Sequence, residues 1–188
     1  MKLDGIILDA DVCIKLGKLT SGRFIELVIP LISDTIFIHP SVKDEVKWPE
    51  HAKSQIDTML RDGKIELLDD KLWNPFDSMV YSQTVEILKR TMVDPRKTDH
   101  HMGEVYSLAA AKTKGIDYFL SDEKKLQRKV DALLNTGIDK GNIRCITLVD
   151  VLNMFADGTL SGIDRETAKT IWLGCLEDTL EFDRIIWP

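Results

Sequence analysis

The chain has 188 residues, 44% of them hydrophobic and 30% charged. That excludes a disordered chain and leaves room for one domain with a sizeable core rather than two ordinary ones. The formal net charge of −6 argues against a protein that coats nucleic acid by charge alone, though not against an enzyme whose acidic site binds cations.

In chain order, Gly5–Leu8 reads as a buried strand, followed by a helix over about 11–32. Thr35–Ile38 reads as a second strand and residues 41–61 as a helix, with Ser41 and Asp44 a capping box. Lys64–Leu68 is a weaker strand, and helices are predicted over 76–92 and 100–114, the latter capped by Asp99. Asp117–Leu120 is the next strand, then a helix over 122–135 capped by Ser121, then the strand Ile143–Ile146. This alternation predicts an α/β fold, a mostly parallel sheet of four or five strands covered by helices on both faces. Residues 148–188 follow the domain of residues 1–147 as a helical extension, with eight acidic and three basic residues. Leu148, Val151, Leu152 and Phe155, then Ala168, Ile171 and Trp172, repeat at three and four. Each such stripe must be buried on the domain, on a second copy as a homodimer, or on a partner.

Cys13, Cys145 and Cys175 form no CxxC pair, so neither a zinc ribbon nor a disulfide framework is indicated. Asp4, Asp9 and Asp11 fall where a secretory leader is apolar, and Phe24–Ile32 is too short to span a bilayer. The expectation is a cytoplasmic protein without a membrane partner.

Ligands of open α/β sheets bind beyond the carboxyl ends of the strands, and acids recur there. Asp9 ends the first strand and Asp11 follows. Asp44 and Glu45 lie after the second. Glu104 heads an apolar stripe with Leu108 and Ala111, and Asp122 and Glu123 follow the fourth strand. Taken singly, Glu45, Asp122 and Glu123 read as helix caps or dipole partners. Asp9 does not, since nothing nearby in the sequence explains a cap. Carboxylates converging on one edge repel one another, and a hard divalent cation with oxygen ligands relieves that. His100 stands one helical turn from Glu104 as a lesser metal candidate.

Four segments in order, ILDADVCI at Ile7–Ile14, PSVKDEV at Pro40–Val46, GEVYSLAAA from Gly103, and DYFLSDEKKLQRK from Asp117, resemble the PIN-domain metal-dependent nucleases. That family includes toxins of bacterial toxin–antitoxin pairs. The resemblance covers about residues 4–147. It implies a three-layer α/β/α fold and an endoribonuclease using Mg²⁺ or Mn²⁺ held by Asp9, Glu45, Glu104 and either Asp122 or Glu123. Asp11 and Ser121 would orient those ligands. RNA would be the substrate and an antitoxin protein the partner. Strict spacing favours Glu123, and some 40 residues run past the end of a compact member.

Lys89, Arg90, Arg96, Lys97, Lys112, Lys114, Lys124, Lys125, Arg128 and Lys129 offer a phosphate-gripping rim, or a solvated helix surface. Trp48, Trp73, Trp172 and Trp187 read as packing residues rather than a base-stacking platform. ILDADVC also resembles the opening of haloacid dehalogenase-type phosphatases, with Asp9 as nucleophile and Asp11 as acid/base. That alternative leaves Glu45 and Glu104 unexplained. The third alternative is a catalytically weak binding module whose acidic tail holds a partner protein.

Overall fold

The structure, a computed structural model, describes residues 1–93, 96, 102–137, 141–176 and 181–187. It has the expected α/β architecture. Five parallel strands, β1 (Ile6–Leu8), β2 (Ile36–Ile38), β3 (Glu66–Leu67), β4 (Tyr118–Leu120) and β5 (Arg144–Ile146), lie in the order β3-β2-β1-β4-β5. Strand β1 is central and fully buried. Its alternation decides the layering, because successive side chains of a strand point to opposite faces. Ile6 and Leu8 join one core with Ile36, Ile38 and Leu120. Ile7 joins the other with Phe37 and Phe119.

Helices cover both faces. On the first lie α1 (Ala10–Gly17), α2 (Phe24–Ile32), α4 (Glu50–Arg61), α8 (Leu148–Ala156) and α9 (Arg165–Leu176). On the second lie α5 (Pro75–Met92), α6 (Met102–Lys114) and α7 (Leu126–Leu133). The short α3 (Pro40–Glu45) packs against α6 at the carboxyl edge of the sheet. Val151, Leu152, Phe155, Ala168, Ile171 and Trp172 are buried in the same core as Leu16 and Ile29. The apolar stripes of the extension are therefore covered within the chain. Among the described residues, no helix is long and apolar enough to cross a membrane.

Several predicted boundaries shift, each for a local reason. The helix expected over 11–32 is two, α1 and α2, parted by a Gly22-containing turn. The one over 41–61 is also two. Pro49, which lacks an N–H and disfavours a helical residue before it, ends the connection and caps α4. The cap of α3 is His39, whose Nδ1 accepts from the Ser41 N–H at 3.1 Å, rather than a Ser41–Asp44 box. Glu45 is consequently the last residue of α3, not part of its first turn. Helix α7 starts at Leu126, so Ser121, Asp122 and Glu123 form a loop after β4 instead of a helix start.

The turn of chain between α1 and α2 depends on one close approach. A Cβ added to Gly17 would lie 2.2 Å from the Ala52 Cβ and 2.6 Å from its Cα. Backbone and a methyl group cannot swing aside, so α1 must retreat from α4 if Gly17 acquires a side chain. Gly17→Ala should therefore destabilise the fold by about 1–3 kcal/mol, despite the better helix propensity of alanine. Urea denaturation measures this, and an unchanged or raised stability would contradict the packing described.

Candidate active site

The strand order sets the location. The chain leaves β1 for β2 on one side and returns to β4 on the other, which opens a crevice at the carboxyl ends of β1 and β4. Leu8 and Leu120 are register partners, so the next residues, Asp9 and Ser121, stand side by side. The Asp9 N–H donates to the Leu120 carbonyl at 3.0 Å. Ser121 Oγ donates to Asp9 Oδ2 at 2.8 Å, and Ala10 N–H donates to Asp9 Oδ1 at 2.8 Å. Asp9 thus caps α1, a role its sequence context did not reveal. It is only 4% exposed and Ser121 1%. Burial pushes the Asp9 carboxyl up to about 7. The Ser121 hydrogen bond opposes the rise, the charge of Glu104 adds to it, the Ala10 N–H opposes it, and Asp11 adds the rest.

Glu104 enters from the opposite layer, in the first turn of α6, and is 9% exposed. The residue before it explains how α6 comes so near α3. A Cβ on Gly103 would meet Glu45 Oε1 at 2.6 Å, so a side chain there would push that carboxylate aside. Burial and the charge of Asp11 raise the Glu45 pKa, and a hydrogen bond from the Gly103 N–H holds it back. Asp11, exposed in the first turn of α1, thereby acts on both Asp9 and Glu45.

The two acids after β4 part company. Asp122 forms an ion pair with Lys15 and accepts the Leu148 N–H at 3.1 Å through Oδ1, at the start of α8. Glu123 is half-buried, and its N–H donates to Ser121 Oγ at 3.4 Å. Asp9, Asp11, Glu45 and Glu104 are therefore coupled electrostatically, Ser121 joins Asp9 to the Glu123 loop, and Asp122 is committed to Lys15 and α8. Among the described residues, no three metal-capable side chains already stand together as a ligand cluster. Asp99, His100, His101 and Lys97 lie outside the described residues.

The expected basic rim is divided. Lys112 and Lys114 sit at the far end of α6 from Glu104, where Lys112 Nζ donates to the Gly141 carbonyl and Lys114 pairs with Asp77 at 2.6 Å. Lys124, Lys125 and Arg128 are exposed near the β4 loop. Sequence reasoning missed His39, whose buried ring anchors the start of α3. It stacks on Tyr106 at 5.5 Å and lies 3.1 Å from Tyr81 Oη and 3.6 Å from Asp70 Oδ1. Burial lowers its pKa against the pull of Asp70. With Nδ1 accepting from Ser41, the ring proton sits on Nε2. A histidine between a strand end and Pro40 was the available signal. Lys15 gave none, since its partner is 107 residues away.

No family model matches the chain, and no curated protein does. Among solved structures, the chain is similar to the crystal structure of VapBC2 from Rickettsia felis bound to a DNA fragment from their promoter. The two are 14% identical over 76% of this chain and 97% of that chain, with a TM-score of 0.46.

The Asp9 carboxyl yields a pH signature. Its folded pKa, about 7, lies above the ordinary 3.8. Ionisation therefore opposes folding, and stability is lost as pH rises from about 4 to about 7. Asp9→Asn removes this loss. In EDTA it should melt above the parent at pH 8, by up to a few kcal/mol of stability, with the difference vanishing near pH 4. A variant that melts lower at pH 8 would mean that the hydrogen bonds to Ala10 and Ser121 outweigh the charge.

Proposed function

We propose that the chain is a metal-dependent endoribonuclease hydrolysing RNA phosphodiesters, with Asp9, Glu45, Glu104 and Glu123 as the ligands of Mg²⁺ or Mn²⁺. The observation that carries this is Asp9. A carboxylate has been buried at the switch point, raised to about 7, and placed where Glu104 from the other layer repels it. Such an arrangement costs stability, and a cation would relieve it. The donors are all oxygens from separate elements, which suits a hard divalent ion.

The chain's own residues divide the work. Ser121 Oγ and the Ala10 N–H fix both oxygens of Asp9. The Gly103 N–H orients Glu45. Glu104 brings the second buried charge, and Glu123 closes the set from the loop held by Ser121. Asp11 stands at the rim and orients by charge. A bound ion supplies a water of lowered pKa at neutral pH and a counter-charge for the phosphate. A phosphatase reading assigns nucleophilic attack to Asp9 and leaves Glu45 and Glu104 without work. Service as a toxin with an antitoxin partner rests on the sequence resemblance.

Incubation with assorted RNAs tests this. The parent should cut internally with Mg²⁺ or Mn²⁺ and not in EDTA, and Glu104→Gln should lose at least about 100-fold. Cleavage that survives EDTA or Glu104→Gln would overturn the proposal.

The fourth ligand is tested separately. Glu123→Gln should abolish cleavage without destabilising the fold. Asp122→Asn should cost about 1–3 kcal/mol of stability, because Lys15 then faces an uncharged amide in place of the carboxylate oxygen it pairs with, while cleavage at a temperature below melting persists. The opposite pattern would assign the metal to Asp122.

A further inference from the structure

Trp48 does not pack. It is 76% exposed, whereas Trp172 is 5% exposed and Trp73 and Trp187 are half-buried. An indole can bury some 150–250 Å², so leaving one in solvent forgoes much stabilisation. The residue is nonetheless held in place. Val46, two positions before it, is buried, and its N–H donates to the Val42 carbonyl at 3.2 Å. The Lys47 N–H donates to the Glu45 carbonyl at 2.8 Å, and on the other side the Pro49 carbonyl accepts from Ala52 at 2.9 Å. The side chain stands on a short connection tied to α3 and α4 at both ends.

Its place along the chain is the second observation. Trp48 is three residues past Glu45, so the two Cα atoms are at most about 11 Å apart. Lys47 beside it is exposed, and Lys43 is half-buried on α3. An exposed π-face with an adjacent ammonium group, close to carboxylates placed for a metal, matches a nucleobase and its neighbouring phosphate. A base offers its face to such a ring only where the strand is unpaired.

We propose that Trp48 stacks on an unpaired base of the RNA strand, one or two nucleotides from the phosphate held at Asp9, Glu45 and Glu104, with Lys47 against the intervening backbone. This rests on the nuclease reading for its substrate, and it makes single-stranded RNA the preferred form. Trp48 is a binding and positioning residue, outside the reacting atoms.

The test is binding of a fluorescently labelled, unstructured RNA oligonucleotide in EDTA, followed by anisotropy, beside cleavage of the same RNA in Mn²⁺. Trp48→Ala should weaken binding roughly ten-fold or more without changing thermal melting. Trp48→Tyr should restore most of the affinity, and in Mn²⁺ the alanine variant should raise KM more than it lowers kcat. The same sequence as a duplex should show no dependence on residue 48. Equal affinity of parent and Trp48→Ala for the single strand overturns the proposal, as does a parent that binds no RNA. So does a loss that Trp48→Tyr fails to restore, or one accompanied by lower melting, which would mark a packing role or a protein-docking surface. Failure of the nuclease reading looks different. A parent that binds single strands through Trp48 but cuts nothing in Mg²⁺ or Mn²⁺ retains the platform and loses the enzyme. One that cuts equally with Trp48→Ala retains the enzyme and loses the platform.

Discussion

A carboxylate at the end of a fully buried central strand governs this molecule. Ile6, Ile7 and Leu8 are removed from water on both faces, and the chain then places Asp9 where solvation is almost gone. Burying an ionised carboxylate without a partner is among the costlier acts in a fold. The surrounding structure supplies two hydrogen bonds, from Ala10 and Ser121, and then opposes them with the charges of Glu104 and Asp11. A structural aspartate would sit better beside Lys15, which instead pairs with Asp122. The tension at Asp9 is what the proposed cation would relieve.

The division between Asp122 and Glu123 follows from the same economy of charge. Asp122 receives a cation from α1 and the first N–H of α8. It joins the first helix, the loop after β4 and the C-terminal extension at one point. That junction fixes the direction in which the loop leaves Ser121, and so where Glu123 begins. The extension is tied to the loop after β4 at this junction and shares a core with α1 and α2.

Much of this was legible in the sequence, for physical reasons. Short apolar runs buried on both faces announce parallel strands, and all five predicted strands are present. The order of acids after strands pointed to the carboxyl edge, because α/β topology puts every strand end there. Less legible were features that depend on partners far along the chain. Hydrophobic periodicity ran through 11–32 and 41–61 without registering that Gly17 must touch Ala52, or that the connection ends at Pro49. Ser121 reads locally as a helix cap, whereas its hydroxyl is spent on Asp9, across the sheet. Glu45 reads as a first-turn acid, yet His39 starts α3 earlier and carries Glu45 to its end, against Gly103. The exposure of Trp48 was equally hidden, since a tryptophan between helices ordinarily packs.

If Asp9 and its neighbours hold a divalent cation, as proposed, binding that cation stabilises the fold. Thermal melting at pH 7.5 with increasing Mn²⁺, for the parent and for Asp9→Asn, measures this most directly. The parent should start lower in EDTA and rise with Mn²⁺ in a saturable manner, whereas Asp9→Asn should start higher and not respond. A parent indifferent to Mn²⁺, or an Asp9→Asn variant stabilised to the same extent, would contradict it.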